Sequence, residues 1–109
     1  MISFRTAVVI GLALGISAGV PAVAADGDPA AGKQKTPMCE GCHGIVGYRT
    51  AYPVVFTVPK LGGQDVGYIL KALQDYRSGA RKHPSMNGIA GSLSDQDMAD
   101  LAAYYASAK

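Results

Sequence analysis

The stretch Cys39-Glu40-Gly41-Cys42-His43 is the most informative part of this chain, because it reads C-x-x-C-H. Two thiols three positions apart at a helix end can each reach one vinyl group on the same edge of a porphyrin. The histidine that follows the second cysteine can then turn its imidazole towards the iron. The motif therefore predicts one haem c, attached covalently through Cys39 and Cys42, with His43 as a ligand of the iron.

Two other uses of the cysteine pair agree less well with the rest of the chain. A redox dithiol is expected in a thioredoxin-like βαβ context, which the sequence lacks. A zinc site needs about four ligands. The sequence has only two cysteines and two histidines, without the paired spacing of zinc modules. Haem attachment is therefore the preferred interpretation.

The N-terminus has the features of a secretory signal peptide. Arg5 supplies a positive charge, and residues 7–20 form an almost unbroken apolar run. Pro21 interrupts this run, and residues 22–24 give the small-x-small pattern that a signal peptidase needs. These features predict export from the cytoplasm.

The expected domain organisation follows from that segment. We predict a signal peptide over 1–24, cleaved after Ala24 or Ala25, and a cytochrome c domain over 25–109 in the periplasm. An uncleaved membrane anchor is the alternative, because 7–25 is just long enough to span a bilayer. Export agrees with haem attachment, since thioether bonds of this kind form on the outer side of the bacterial inner membrane.

Composition and charge give no indication of nucleic-acid binding. The sequence has ten Lys and Arg against eight Asp and Glu, and no basic block that could follow a phosphate backbone. Removal of the signal peptide with Arg5 leaves a formal charge of +1, which two haem propionates would change to about −1. The predicted mature domain is short and has no tryptophan, so a buried cofactor would help to stabilise it.

The spacing of apolar and capping residues predicts three main helices. The first covers about 28–38, with Pro37 disturbing its end. The second covers about 65–78, with Gly79 as its C-cap. The third covers about 94–107 and opens with a sequence close to a capping box.

Two long segments, 44–63 and 80–93, lack a helical pattern, and 54–58 is the only strand-like piece in the first of them. Long loops in a compact domain are usually functional or organised around a ligand. The predicted fold is therefore all-α, a small domain whose three main helices and long loops wrap around one haem.

A second iron ligand must come from outside the motif. Met38 adjoins Cys39 and cannot reach the other face of the ring, and Met98 lies on the apolar stripe of the third helix, where a core role explains it. His83 and Met86 both lie in the second long loop. The residues alone slightly favour Met86, because a buried thioether needs no hydrogen-bond partner whereas a histidine needs one.

Several further strings complete a pattern that covers nearly all of the predicted mature chain. They are CEGCHG at 39–44, PKLGGQ at 59–64, LQDYRSGAR at 73–81, Met86, LSDQD at 93–97 and LAAYY at 101–105. With these strings the chain resembles the class I c-type cytochromes, especially single domains of the cytochrome c4 and c553 group. Cytochromes c4 carry two such domains, whereas this sequence has one haem motif, so the resemblance is to a monohaem relative.

The resemblance implies roles for particular residues. Met86 matches the axial methionine, and Pro59 matches the proline whose carbonyl accepts a hydrogen bond from the proximal imidazole, here His43. Gly32 matches the close crossing of the terminal helices, with Leu101 and Tyr104 on the last helix.

One part of the chain departs from the family pattern. The stretch 45–58 differs from the common loop with its Asn-Pro element. Tyr48, Arg49 or Tyr52 in this stretch could hydrogen-bond a propionate.

With His43 and Met86 as axial ligands, the iron would have no open position, which favours electron transfer over catalysis. The expected function is a periplasmic single-electron carrier, not an enzyme, between redox protein donors and acceptors. It would meet a membrane only through respiratory partners or an uncleaved signal. The first alternative is an electron-accepting subunit of a larger dehydrogenase, resembling flavocytochrome sulfide dehydrogenases. The second is a gas sensor or enzyme in which the methionine bond opens.

Overall fold

The computed structural model describes residues 26–51 and 55–108, in which five helices and two short strands occur. The helices are α1 Pro29–Gln34, α2 Pro37–His43, α3 Val66–Ser78, α4 Pro84–Gly91 and α5 Asp95–Ser107, and the strands are β1 Arg49–Thr50 and β2 Phe56–Thr57. The predominance of helices confirms the predicted all-α class. The predicted signal peptide lies outside the described residues. Within the described ranges, no helix has the length and apolar character that a membrane crossing requires.

The predicted first helix is divided in two. Asp28 caps α1 as expected, and its side chain accepts a hydrogen bond from the Ala30 N–H. The helix ends at Gln34, however, and Pro37 begins α2 after Thr36. Proline lacks the N–H that would continue the first helix, but it suits the first position of a new one. The C-x-x-C-H motif thus has a helix of its own.

The predicted second long loop, 80–93, contains α4, so the prediction of an irregular segment was wrong there. His83 is the N-cap, and its Nδ1 accepts a hydrogen bond from the Met86 N–H, while Pro84 occupies the first turn. Histidine is not among the usual N-cap residues, and Gly88 and Gly91 lower the helix propensity of this stretch.

The other two helices agree with their predicted bounds. Asp65 caps α3, and Gly79 ends it with a φ of 85°, a left-handed conformation that favours glycine. The Ser94 side chain and the Asp97 side chain cap each other's backbone N–H groups at the start of α5, which confirms the capping box.

The core is organised around α5, whose Met98 and Leu101 are the largest fully buried side chains. This confirms the core role predicted for Met98. Ile69 of α3 and Ala90 of α4 pack into the same cluster. The two strands pair antiparallel, with Arg49 opposite Thr57. The expected strand-like piece is therefore present at 56–57, and its partner strand was not predicted.

The terminal helices α1 and α5 cross closely, as the resemblance implied. A Cβ atom added to Gly32 would lie 2.1 Å from the Asp100 carbonyl oxygen and 2.8 Å from the Tyr104 Cβ. Only a residue without a side chain allows this approach.

A buried carboxylate joins the same two helices. Asp100, only 3% exposed, accepts hydrogen bonds from the Asp28 N–H at 2.9 Å and from Lys35 Nζ at 2.6 Å. Lys35 Nζ also lies 2.8 Å from Asp97 Oδ1. The hydrogen bond from the Asp28 N–H and the contact with Lys35 lower the pKa of Asp100 to about 2.

Candidate cofactor site

A cavity of about 340 Å³ opens between four of the helices and the segment 56–61. It is lined by all five residues predicted for the cofactor site, namely Cys39, Cys42, His43, Pro59 and Met86. The remaining lining side chains are mostly aliphatic or aromatic, including Ile69, Leu73 and Leu101. No aspartate or glutamate is among the described lining residues. The cavity thus suits a largely apolar ligand whose own charges are negative.

The donor set within this cavity fits haem c. Two thiols can form thioether bonds to vinyl groups, while one imidazole and one thioether sulfur can ligate iron. Across 26–51 and 55–108, no group of three or more His, Cys, Asp or Glu side chains is arranged to hold a metal ion directly. The described residues therefore give no support to the zinc interpretation.

The ring of His43 is oriented by a hydrogen bond to the backbone. Its Nδ1 lies 2.7 Å from the carbonyl oxygen of Pro59. A carbonyl oxygen can only accept, so Nδ1 must carry the proton and Nε2 keeps its lone pair free for a metal. This contact is the one that the resemblance implied for Pro59.

Met86 lies in the first turn of α4, where hydrogen bonds from Asn87 fix the helix. The Asn87 Nδ2 donates to the carbonyl oxygens of Tyr76 at 2.7 Å and Arg81 at 2.8 Å. Its Oδ1 accepts from the His83 N–H at 3.0 Å. Asn87 thus fastens the start of α4 to the end of α3 and holds Met86 against the cavity. Sequence reasoning missed it, because these contacts depend on how the end of α3 meets the start of α4.

A tyrosine and a glutamate, hydrogen-bonded to each other, lie beside the first cysteine of the motif. Tyr105 is 7% exposed, and its hydroxyl donates to Glu40 Oε1 at 3.0 Å. Burial raises the pKa of Tyr105, and the neighbouring Cys39 and Glu40 act in the same direction. Burial also raises the pKa of the Cys39 thiol. Neither Tyr105 nor Glu40 was singled out from the sequence for such a contact.

Of the three residues suggested for a propionate, Tyr48 and Arg49 do not line the cavity, and Tyr52 lies outside the described residues. The Tyr48 backbone instead contacts the segment 56–61, since its carbonyl accepts a hydrogen bond from the Val58 N–H at 2.9 Å.

Comparisons with known proteins identify relatives over most of the chain. The family model described as "Cytochrome c" matches residues 29–109. Cytochrome c4 of Pseudomonas aeruginosa is 46% identical over 85 residues, which are 78% of this chain and 40% of that protein. Cytochrome c-554(548) of Halomonas halodenitrificans is 43% identical over an alignment of 84 residues that covers 74% of this chain and 96% of that protein.

A solved structure agrees with these matches. The crystal structure of reduced recombinant cytochrome c4 from Pseudomonas stutzeri superposes with a TM-score of 0.63 at 41% identity, covering 76% of this chain and 46% of that chain. The chain spans about two fifths of the length of the cytochrome c4 relative from P. aeruginosa.

Proposed function

The chain belongs to the cytochrome c family, as a class I c-type cytochrome of the c4 group that binds haem c covalently, and on that premise we propose that it is a periplasmic single-electron carrier. His43 and Met86 are the proposed iron ligands, and Cys39 and Cys42 hold the haem. The proposal includes removal of residues 1–24 as a signal peptide and a cytochrome c domain over 25–109.

The observation that carries this proposal is that the cavity brings together both cysteines, an imidazole with a free Nε2 and a methionine from another helix. Each of these groups meets one requirement of a c-type haem site whose iron has six ligands. The two thiols would tether the haem, the His43 imidazole would bind the iron beside the tether, and the Met86 thioether would bind it from α4. Their meeting in one apolar cavity supports electron transfer rather than thiol chemistry.

The residues of the chain have distinct parts in this function. Bound haem c supplies a one-electron Fe(III)/Fe(II) couple. Pro59 holds the His43 ring in the tautomer that ligates through Nε2. Met86 supplies a soft sulfur, which favours the ferrous state and raises the potential relative to a second imidazole. The apolar lining acts in the same direction, because the ferric site has one more positive charge to solvate.

The first experiment is expression with the periplasmic haem-attachment machinery, followed by mass spectrometry and absorbance. We expect the mass of one haem on the chain, a reduced α-band of c-type haem and a weak ferric sulfur-to-iron band. Met86→Ala should abolish that band. Met38→Ala is the matched control, since Met38 also lines the cavity but adjoins Cys39, and it should retain the band. A colourless product, or a band that survives Met86→Ala, contradicts the proposal.

The periplasmic location of the protein and its existence as a free carrier need separate measurements. Cell fractionation should recover the haem protein in the periplasm, with an N-terminus at Ala25 or Asp26. Native gel filtration of that fraction should give a particle of the free chain's size. The purified particle should then exchange electrons with other redox proteins. The comparisons do not favour the alternative of a dedicated dehydrogenase subunit. Stable co-purification with a flavoprotein or a molybdoprotein would contradict the free carrier.

A further inference from the structure

Two cationic side chains, Lys60 and Arg81, line a cavity whose described wall contains no carboxylate. A haem carries two propionates on one edge, and an anionic group beside an apolar pocket needs a compensating charge. The positive groups of the wall are therefore the candidates for that compensating charge. Neither was expected for this role from the sequence.

Arg81 is the better placed of the two. Its guanidinium lies over the ring of Tyr76, with Cζ 4.7 Å from the ring centroid. This stacking holds the planar group in one orientation. Lys60 also borders a second, neighbouring cavity, and no aromatic ring of the described residues holds its ammonium. A held guanidinium can bind both oxygens of a carboxylate, whereas an ammonium cannot.

The backbone of Arg81 is fixed as well. Its N–H donates to the Asp75 carbonyl at 3.1 Å, and its carbonyl accepts from Asn87 at 2.8 Å. The side chain forms no ion pair with any carboxylate in the described part of the chain, whereas the nearby Arg77 pairs with Asp95 at 2.6 Å. The guanidinium thus keeps its charge available beside the cavity.

The exposure of Arg81 agrees with a ligand that lies across the edge of the pocket. Arg81 is exposed to solvent although it lines the cavity. An amphipathic ligand buries its apolar ring and directs its carboxylates to such a rim.

We propose that Arg81, held by Tyr76, forms an ion pair with one propionate of the bound haem and thereby raises the reduction potential. This inference rests on the proposed haem binding. Without the charge of Arg81, an unpaired propionate near the iron would stabilise the ferric state.

Equilibration of the haem-loaded protein with a fixed redox mediator tests this role. We expect Arg81→Gln to shift the equilibrium about tenfold towards the oxidised protein, which is 59 mV for one electron. Arg77→Gln is the matched control, because it removes the same charge from a side chain that pairs with Asp95 outside the cavity wall, and its shift should be under about twofold. Arg81→Lys should recover most of the wild-type potential.

Several results would overturn the inference. One is equal shifts in Arg81→Gln and Arg77→Gln, and another is a Lys variant as oxidised as the Gln variant. A full shift in Lys60→Gln with none in Arg81→Gln would do the same. The α-band and the mass of each variant show that haem is bound, so such results would leave the proposed electron-carrier function intact.

A second measurement needs no variant. In the ferrous protein, which is diamagnetic, the Arg81 Nε–H should give a nuclear Overhauser contact with the methylene protons of one propionate. The absence of that contact from an assigned Arg81 resonance would also overturn the inference.

Discussion

The terminal pair, α1 with α5, and the cavity wall, meaning α2, α4 and the segment 56–61, differ in what their side chains contact. In the terminal pair, Gly32 is buried against the Asp100 backbone, and the Asp100 carboxylate is only 3% exposed. In the cavity wall, Met38 is 49% exposed and Phe56 is 46% exposed, although both border the cavity.

The comparison teaches that the chain stabilises its two halves differently. The terminal pair is packed and hydrogen-bonded by the chain's own atoms. The apolar side chains of the wall face a common space, which on our proposal is filled by haem. Changes in the wall should therefore act through the cofactor, and changes at the contact between α1 and α5, away from the cavity, should act on stability alone.

The largest expected effect is the loss of both thioether bonds. Cys39→Ala with Cys42→Ala should abolish covalent haem and leave the domain largely unfolded at 25 °C, because the buried apolar core is small and haem is its proposed complement. Circular dichroism and mass spectrometry measure both results. A double variant that is fully helical and unfolds cooperatively without haem would contradict the proposed dependence of the cavity wall on haem.

The next effect lies in the terminal pair. Gly32→Ala should lower the free energy of unfolding by about 3 kcal/mol, because the added methyl group would lie within 3 Å of the α5 backbone. Urea denaturation measures the loss, and the reduction potential of the folded protein should not change. Gly88→Ala is the control, since a Cβ there meets nothing within 4 Å. Equal stabilities for the two variants would show that the close crossing does not matter.

Acid should weaken the terminal pair. Hydrogen bonds and Lys35 lower the pKa values of Asp97 and Asp100 to about 2, below the usual value of about 3.9. The native state therefore binds fewer protons than the unfolded chain between these values. This contribution is complete above about pH 4 and is lost as the pH falls towards 2.

Urea midpoints measured from pH 7 to pH 2 test that dependence. Asp100→Asn should flatten the decline between pH 4 and pH 2 and lower stability at pH 7. A decline unchanged by Asp100→Asn would contradict the assignment.

The smallest effect is expected at the contact between α5 of the terminal pair and α2 of the cavity wall. Tyr105→Phe removes the hydrogen bond to Glu40 and should cost about 1 kcal/mol of unfolding free energy. Tyr104→Phe is its control, because the Tyr104 hydroxyl has no hydrogen bond within the described residues, and it should change stability by less than about 0.5 kcal/mol. A reversed order of the two variants would place the stabilising contact elsewhere.

Local chemistry explains how much of the fold could be predicted. Asp28, Asp65 and Ser94 were recognised as helix starts because each satisfies N–H groups two or three residues away. The helix α4 was missed because its cap is a histidine and its interior contains glycines, which obscured the local signal of Pro84 in its first turn. Its position depends instead on Asn87.

The candidate site divides in the same way. Cys39, Cys42 and His43 follow from covalent spacing, which is fully contained in the sequence. The residues alone only slightly favoured Met86, the assignment of Pro59 came from the family resemblance, and the role of Met86 as an iron ligand is a proposal. Arg81 could not be found from spacing, because its relation to the cavity depends on how the end of α3 meets α4.

The proposed pair of axial ligands, His43 and Met86, is tested most directly by nuclear magnetic resonance of the ferrous protein with labelled methionine methyl groups. A methyl group bound through sulfur to the iron lies against the porphyrin face, where the ring current shifts its resonance far upfield. We predict one such resonance, and its loss in Met86→Ala but not in Met38→Ala. Absence of any shifted methyl, or assignment of the shifted methyl to Met38 or Met98, would contradict the account.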